Sequence, residues 1–164
     1  MAPKTPVQDH VEPAEQDRHA PNAICFGCGP ANPKGLRIKS RWEGDAFVLR
    51  FTPREEHQAF PGVLNGGIIG TLFDCHMNWS ALTTLLKERG YDTAPCTVTA
   101  EFSVKLRRPT PFPAEVTVVA RPTKVDGKMV SMEAEMFAED KKTATASGLF
   151  VEVDESHPAH HRWG

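Results

Sequence analysis

Two periodicities run through the chain. From Gly66 to Leu86, about twenty residues without proline, Ile69, Leu72, Met77, Leu82 and Leu86 recur near helical spacing, and Lys87-Glu88-Arg89-Gly90 closes the run. The pattern predicts one long helix, with Gly90 suited to the left-handed C-terminal cap that glycine adopts without steric cost. Elsewhere apolar and polar residues alternate. Leu36 to Arg41 and Ala46 to Phe51, parted by Glu43-Gly44-Asp45, read as a hairpin. After the helix, Thr97 to Val104, Glu115 to Ala120, Met129 to Phe137 and Thr143 to Val153 alternate as strands of a sheet with one wet face. Asp126-Gly127 between two of these runs marks a tight antiparallel turn. The order is two strands, one helix, then four strands in an antiparallel meander, which predicts an α+β fold whose sheet wraps the helix.

The length of 164 residues suits one domain with a real core. Residues 1 to 22 are rich in Pro, Ala, Gln, Asp and Glu without apolar periodicity and predict a flexible or surface-draped arm; residues 23 to 155 form the domain. Residues 156 to 164 read as a solvated tail whose three histidines lack the fixed geometry of a metal site. Lysine and arginine number 19 against 21 acidic residues, without the excess that neutralising phosphates demands, so nucleic acid is not an expected partner. Polar residues follow Met1 to Pro6, so no secretory signal is expected, and no apolar run approaches the roughly 20 residues that span a bilayer. A cytoplasmic protein with four reduced cysteines is the expectation.

Candidate chemistry concentrates between Phe60 and Asp74. Asn65-Gly66-Gly67 opens the helix, where glycines let a ligand approach the backbone and unpaired N–H groups stabilise negative charge, as an oxyanion hole requires. Asp74 interrupts the apolar run Ile68 to Phe73, where a carboxylate is costly to bury unless it is hydrogen-bonded or faces a cleft. Spacing alone leaves two readings level: a reactive site, or a glycine-softened helix packed on a sheet with Asp74 capping or paired to a lysine. Nine residues from Asn65 to Asp74 amount to about 180° around a helix. One helix does not easily aim both at one substrate, whereas two antiparallel copies do.

Gly62 to Asp74 resembles the His-Gly-Gly-x-x-x-x-Leu-x-Asp signature of the PaaI-like acyl-CoA thioesterases of the hotdog superfamily, with Asn65 in the place of the histidine. Cys25-Phe26-Gly27-Cys28-Gly29-Pro30-Ala31-Asn32-Pro33-Lys34-Gly35-Leu36 is similar to the Cys-x-x-Cys-Gly-x-x-Asn-Pro-x-Gly-Leu that opens that branch, and Thr99 to Pro109 is similar to its post-helix strand. The resemblance implies a hotdog fold, an antiparallel sheet wrapped around one long central helix. It also implies acyl-CoA hydrolysis with Asp74 as general base or nucleophile, the Gly66 N–H polarising the thioester carbonyl, and Thr99 orienting the aspartate or its water. Its sites lie between two subunits, so a homodimer, or a dimer of dimers, is implied. Asn65 donates and accepts hydrogen bonds but does not titrate, so acid–base duty of the usual histidine is lost. Gly67 and, from the preceding loop, His57 and Gln58 are candidate substrate contacts.

Cys25-x-x-Cys28 has no second Cys-x-x-Cys to complete a zinc site, and a turn with small buried thiols is expected; no metal and no cofactor are assigned. His76 lies roughly 160° from Asp74 around the helix and reads as a packing or interface residue. Lys105, Arg107 and Arg108 cluster at a strand end, where guanidinium groups suit the phosphates of CoA. No nucleotide-phosphate loop is present. A module that binds acyl-CoA without turnover is the alternative that Asn65 motivates. A hydratase or dehydratase ranks below it, because such enzymes usually pair a histidine with an acid.

Overall fold

The computed structural model describes residues 12 to 163. In chain order its elements are a short helix α1 (Glu15–His19), β1 (Ser40–Glu43), β2 (Ala46–Phe51), a 3-10 turn (Glu55–His57), β3 (Gln58–Phe60), β4 (Val63–Leu64), α2 (Gly66–Arg89), β5 (Cys96–Leu106), β6 (Val116–Asp126), β7 (Met129–Ala138) and β8 (Lys141–Val153). The long helix is held at both ends as its sequence dictates. Asn65, in extended conformation, accepts the Ile68 N–H on its side chain, and Gly90 takes the left-handed conformation at φ 60 and ψ 37.

Six strands form one antiparallel sheet in the order β1-β2-β6-β7-β8-β5, while β3 and β4 form a small hairpin of their own. This is the expected α+β hotdog layout, with one correction to its connectivity. The strands β6, β7 and β8 are a meander, but β5 pairs with β8 at the far edge. The chain therefore crosses from Arg107 to Glu115 to place β6 beside β2. Alternation reports which face a residue uses, not which strand is its neighbour. The first strand also starts later than expected, at Ser40, because the Leu36 and Ile38 N–H groups return to the carbonyls of Phe26 and Gly27 instead of a ladder.

The helix lies on the inner face of the sheet. Leu72, Phe73, Met77, Leu82 and Leu85 pack with Val118, Val130, Met132, Met136, Ala144 and Phe150 in one core. On the other face, polar side chains including Ser103, Lys105, Arg121, Glu133 and Ser147 meet solvent, the expected wet face. Among the described residues no helix is long and apolar enough to cross a membrane.

Both chain ends touch the domain where they are described. Within the segment expected as a flexible or surface-draped arm, Ala14, Gln16 and Ala20 are buried, and the Gln16 amide both donates to Ser40 Oγ at 3.0 Å and accepts the Ser40 N–H at 2.8 Å. An amide satisfied on both sides anchors this stretch to β1; residues 1 to 11 of that expected arm lie outside the described residues. Three residues of the expected solvated tail reach the domain, while Ser156 to Pro158 and His161 stay exposed. Trp163 sets its ring 5.1 Å from that of Trp79, Arg162 donates to the Thr97 carbonyl, and the Cys96 thiol reaches Ala159 O at 3.1 Å. Trp163 supplies the apolar area that a polar tail lacks.

Candidate active site

One stripe of α2 runs along β5. A Cβ placed on Gly66 would touch Leu106 Cδ1 at 3.4 Å, and one on Gly70 would touch Phe102 Cε2 at 3.9 Å. Continuing down the helix, Thr99 Oγ1 donates to Asp74 Oδ1 at 2.7 Å, and Thr97 Oγ1 donates to Asn78 Oδ1 at 2.8 Å. Gly66, Gly70, Asp74 and Asn78 are four residues apart, the spacing that shares a helix face. The strand keeps up with the helix by a bulge. The register of β5 against β8 shifts between Thr99 and Glu101, leaving Ala100 unpaired. This extra residue lets Thr97 and Thr99 share the helix side with Phe102 and Leu106 despite their opposite parity.

Asp74 is half-buried on this stripe. Burial pushes its carboxyl above the ordinary value, against the Thr99 hydroxyl, which pulls it down. At the start of the stripe, the Asn65 side chain takes the Ile68 N–H at 3.1 Å and its carbonyl takes the Ile69 N–H, also at 3.1 Å. Among the described residues the N–H groups of Gly66 and Gly67 find no acceptor, and no acidic residue sits in the first turn to compete for them. That end of the helix is open to an anion. Asn65 itself serves as N-cap, and its own N–H donates to the His57 carbonyl at 2.9 Å.

The remaining expected residues are placed less directly. His57 is buried, its ring 5.5 Å from Phe51 and its Nδ1 accepting the Arg54 N–H at 3.0 Å; burial lowers its pKa. Gln58 bridges its own loop, donating to Glu55 O and accepting the Gly62 N–H at 2.8 Å. Both side chains brace the loop that leads into α2. Arg107 and Arg108 are exposed just beyond Leu106, where both N–H groups donate to Thr143 O. His76 is fully buried between Ser40 Oγ at 2.8 Å and Phe47 O at 3.1 Å, the packing role expected.

Sequence reasoning missed two sets of residues on or beside the α2 stripe. Gly70, Phe102 and Leu106 complete its face, and the four-residue spacing of Gly66, Gly70 and Asp74 was the available signal. The second is sulfur: Cys75 Sγ lies 3.9 Å from Cys25 Sγ, and Cys28 joins them. The expectation of buried thiols holds for Cys28, but Cys25 is exposed. Hydrogen bonds from Cys28 and Cys75 lower the pKa of Cys25, while the same contacts with Cys25 raise those of Cys28 and Cys75.

The sequence profile of the Thioesterase superfamily matches residues 61–145, a span that includes Asn65, Gly66, Gly67, Asp74 and Thr99. Acyl-coenzyme A thioesterase THEM4 of Bos taurus is 26% identical over 99 residues, covering 59% of this chain and 37% of that protein. The match thus takes in little more than a third of the relative's length. A thioesterase superfamily protein from Shewanella loihica superposes with a TM-score of 0.61 at 28% identity, over 71% of this chain and 91% of its own. The PaaI protein of Escherichia coli gives a TM-score of 0.61 at 14% identity over 73% of this chain and 81% of its own, a likeness of fold. The profile covers more than half of the chain, and the chain belongs to the thioesterase superfamily.

Proposed function

We propose that the protein hydrolyses an acyl-CoA thioester, with Asp74 as general base, Thr99 as its positioning partner and the Gly66 N–H as oxyanion donor. One observation carries this reading: a half-buried carboxylate, held through Oδ1 by a threonine hydroxyl, opens on a face that begins at unpaired helix N–H groups. Asp74 Oδ2 accepts no hydrogen bond among the described residues, which leaves it for a water. Asp74 draws a proton from that water as its oxygen adds to the thioester carbonyl carbon, and the carbonyl oxygen gathers charge at the helix N-terminus. Collapse of the adduct breaks the C–S bond; the CoA thiolate leaves and takes up a proton, and a carboxylic acid remains.

The same geometry asks for two chains. Gly66 and Asp74 share a face, so the obstacle is not the angle that sequence counting raised from Asn65. It is length: eight residues at 1.5 Å each put roughly 12 Å between them along the helix, too far for one carbonyl. A second chain, antiparallel across this face, sets each Gly66 near the partner's aspartate. Phe102 and Leu106 stand exposed on the stripe, and β5 is one of the two edge strands of the sheet. We assign this face to the homodimer. Arg108, two residues beyond Leu106, then lies at the glycine end, where the phosphates of CoA would meet it, while Arg107 turns to Thr145 Oγ1 at 3.3 Å on the wet face of the sheet.

The test is thiol release over a panel of aromatic, short and medium acyl-CoAs. The wild type releases thiol from at least one class, and Asp74→Asn, folded as judged by circular dichroism, lowers kcat by about 10²–10⁴-fold. Undiminished turnover by Asp74→Asn overturns the mechanism. Binding of acyl-CoA by the wild type without turnover makes the protein a binding module instead, a reading that the commitment of the Asn65 side chain to capping favours.

A further inference from the structure

Three thiols that no step of hydrolysis uses converge beside the catalytic stripe. Cys25 and Cys28 come from the loop before β1, and Cys75 comes from α2, one residue beyond Asp74; their sulfur atoms all lie within 4.8 Å of one another. No disulfide joins them. The loop that carries the first two is tightly built. Gly29 N–H donates to Cys25 O at 2.8 Å, Leu36 N–H to Phe26 O at 2.8 Å, and Ile38 N–H to Gly27 O at 3.0 Å. Glycine is needed twice in this loop for close approach: a Cβ on Gly27 would stand 2.3 Å from Cys75 Sγ, and one on Gly29 would stand 2.4 Å from Cys25 N. The loop is thereby pressed against the helix with the sulfurs facing each other.

We propose that Cys25, Cys28 and Cys75 form a zinc site that ties this loop to α2. Bonds of about 2.3 Å from a tetrahedral zinc separate two thiolate sulfurs by roughly 3.8 Å. Cys25 and Cys75 already stand 3.9 Å apart, and the widest separation in the cluster exceeds the ideal by about 1 Å. Around the sulfurs there is a supporting donor as well. Trp79, one turn beyond Cys75, donates its indole N–H to Cys28 Sγ at 3.3 Å, the kind of bond that orients a ligating thiolate. Cys28 and Cys75 are buried, while Cys25 is exposed and gives an ion its way in. Binding replaces the three thiol protons by one divalent cation, and the fourth tetrahedral position falls to water on the open side. Sequence alone shows half a zinc motif, since the third ligand lies 47 residues after Cys28 on a different element.

The experiment takes the full chain, reduced and freed of metal, and titrates it with Co²⁺ and then Zn²⁺. The wild type develops a thiolate-to-cobalt charge-transfer band at one equivalent, loses it to Zn²⁺, and melts at a higher temperature with Zn²⁺ than without. Cys25→Ser, an exposed position that leaves the core intact, weakens Co²⁺ binding by about 100-fold, and Trp79→Phe by about 10-fold. Cys96→Ser, outside the cluster, leaves the band unchanged. The site is overturned if the reduced wild type gives no charge-transfer band, or if Cys25→Ser keeps it at full affinity. Neither readout depends on hydrolysis.

Discussion

At the scale of single residues, the position of Gly66 allows a clean separation of chemistry from folding. It is the first residue of α2, where proline is well tolerated, and Asn65 before it already holds the extended conformation that a following proline demands. Gly66→Pro removes the N–H assigned to the oxyanion and little else, since a Cβ there meets Leu106 at an ordinary 3.4 Å. The variant keeps the wild-type melting temperature within a few degrees and loses about 10²-fold in kcat; full activity would place the oxyanion donor elsewhere. His76 governs acid stability. Burial drops its pKa from 6.5 to about 4, so the folded chain holds the ring neutral where the unfolded chain protonates it. Stability is complete above the unfolded value and declines as pH falls toward the folded one, by on the order of 2–3 kcal/mol. Urea midpoints measured at neutral pH and near pH 4.5 should show His76→Gln losing less than the wild type; equal losses would sink the assignment. Both residues stand out in the sequence, Gly66 by its motif and His76 as a polar residue on the expected helix. The partners that define their roles do not.

At the scale of elements, the contact that sets the site is α2 against β5, made possible by glycines on the helix and one bulge on the strand. The helix was legible from Gly66 to its Gly90 cap, because its period and its closing glycine are local properties, whereas the cap that Asn65 provides came only from the structure. The bulge at Ala100 was not, since it appears only when β5 is laid against β8. The loop from Cys25 to Gly29 is the second such contact. Gly27→Ala drives a methyl group into Cys75 Sγ and Thr71 Cγ2, at 2.3 and 2.9 Å. Overpacking of this kind costs about 1–3 kcal/mol, read as a lower urea midpoint at unchanged slope. A neutral result would show that the loop stands off the helix in solution.

At the scale of the whole molecule, the separation of Gly66 from Asp74 turns into a prediction about assembly. If each site takes its glycine from one chain and its aspartate from the other, two dead variants complement each other. Gly66→Pro and Asp74→Asn, unfolded together and refolded as a mixture, should regain about a quarter of wild-type activity, because half of the random dimers carry one intact site of two. Thiol release by the mixture, compared with each variant alone, decides it. Activity no higher than the sum of the separate variants would confine the site to one chain.

The alternation and helical periods, read from the chain alone, were sufficient for the fold class, since each element's buried face is written at its own spacing. The glycine-opened helix and the position of Asp74 were legible for the same reason, being features of one continuous segment. What the tertiary structure decided was the neighbour of each strand and loop: β5 at the sheet edge, the bulge at Ala100, Trp163 on Trp79, and Cys75 beside Cys25 and Cys28. Such pairings join residues far apart in the chain through backbone hydrogen bonds that any side chain can accompany, so the linear pattern carries the faces and leaves the partners open.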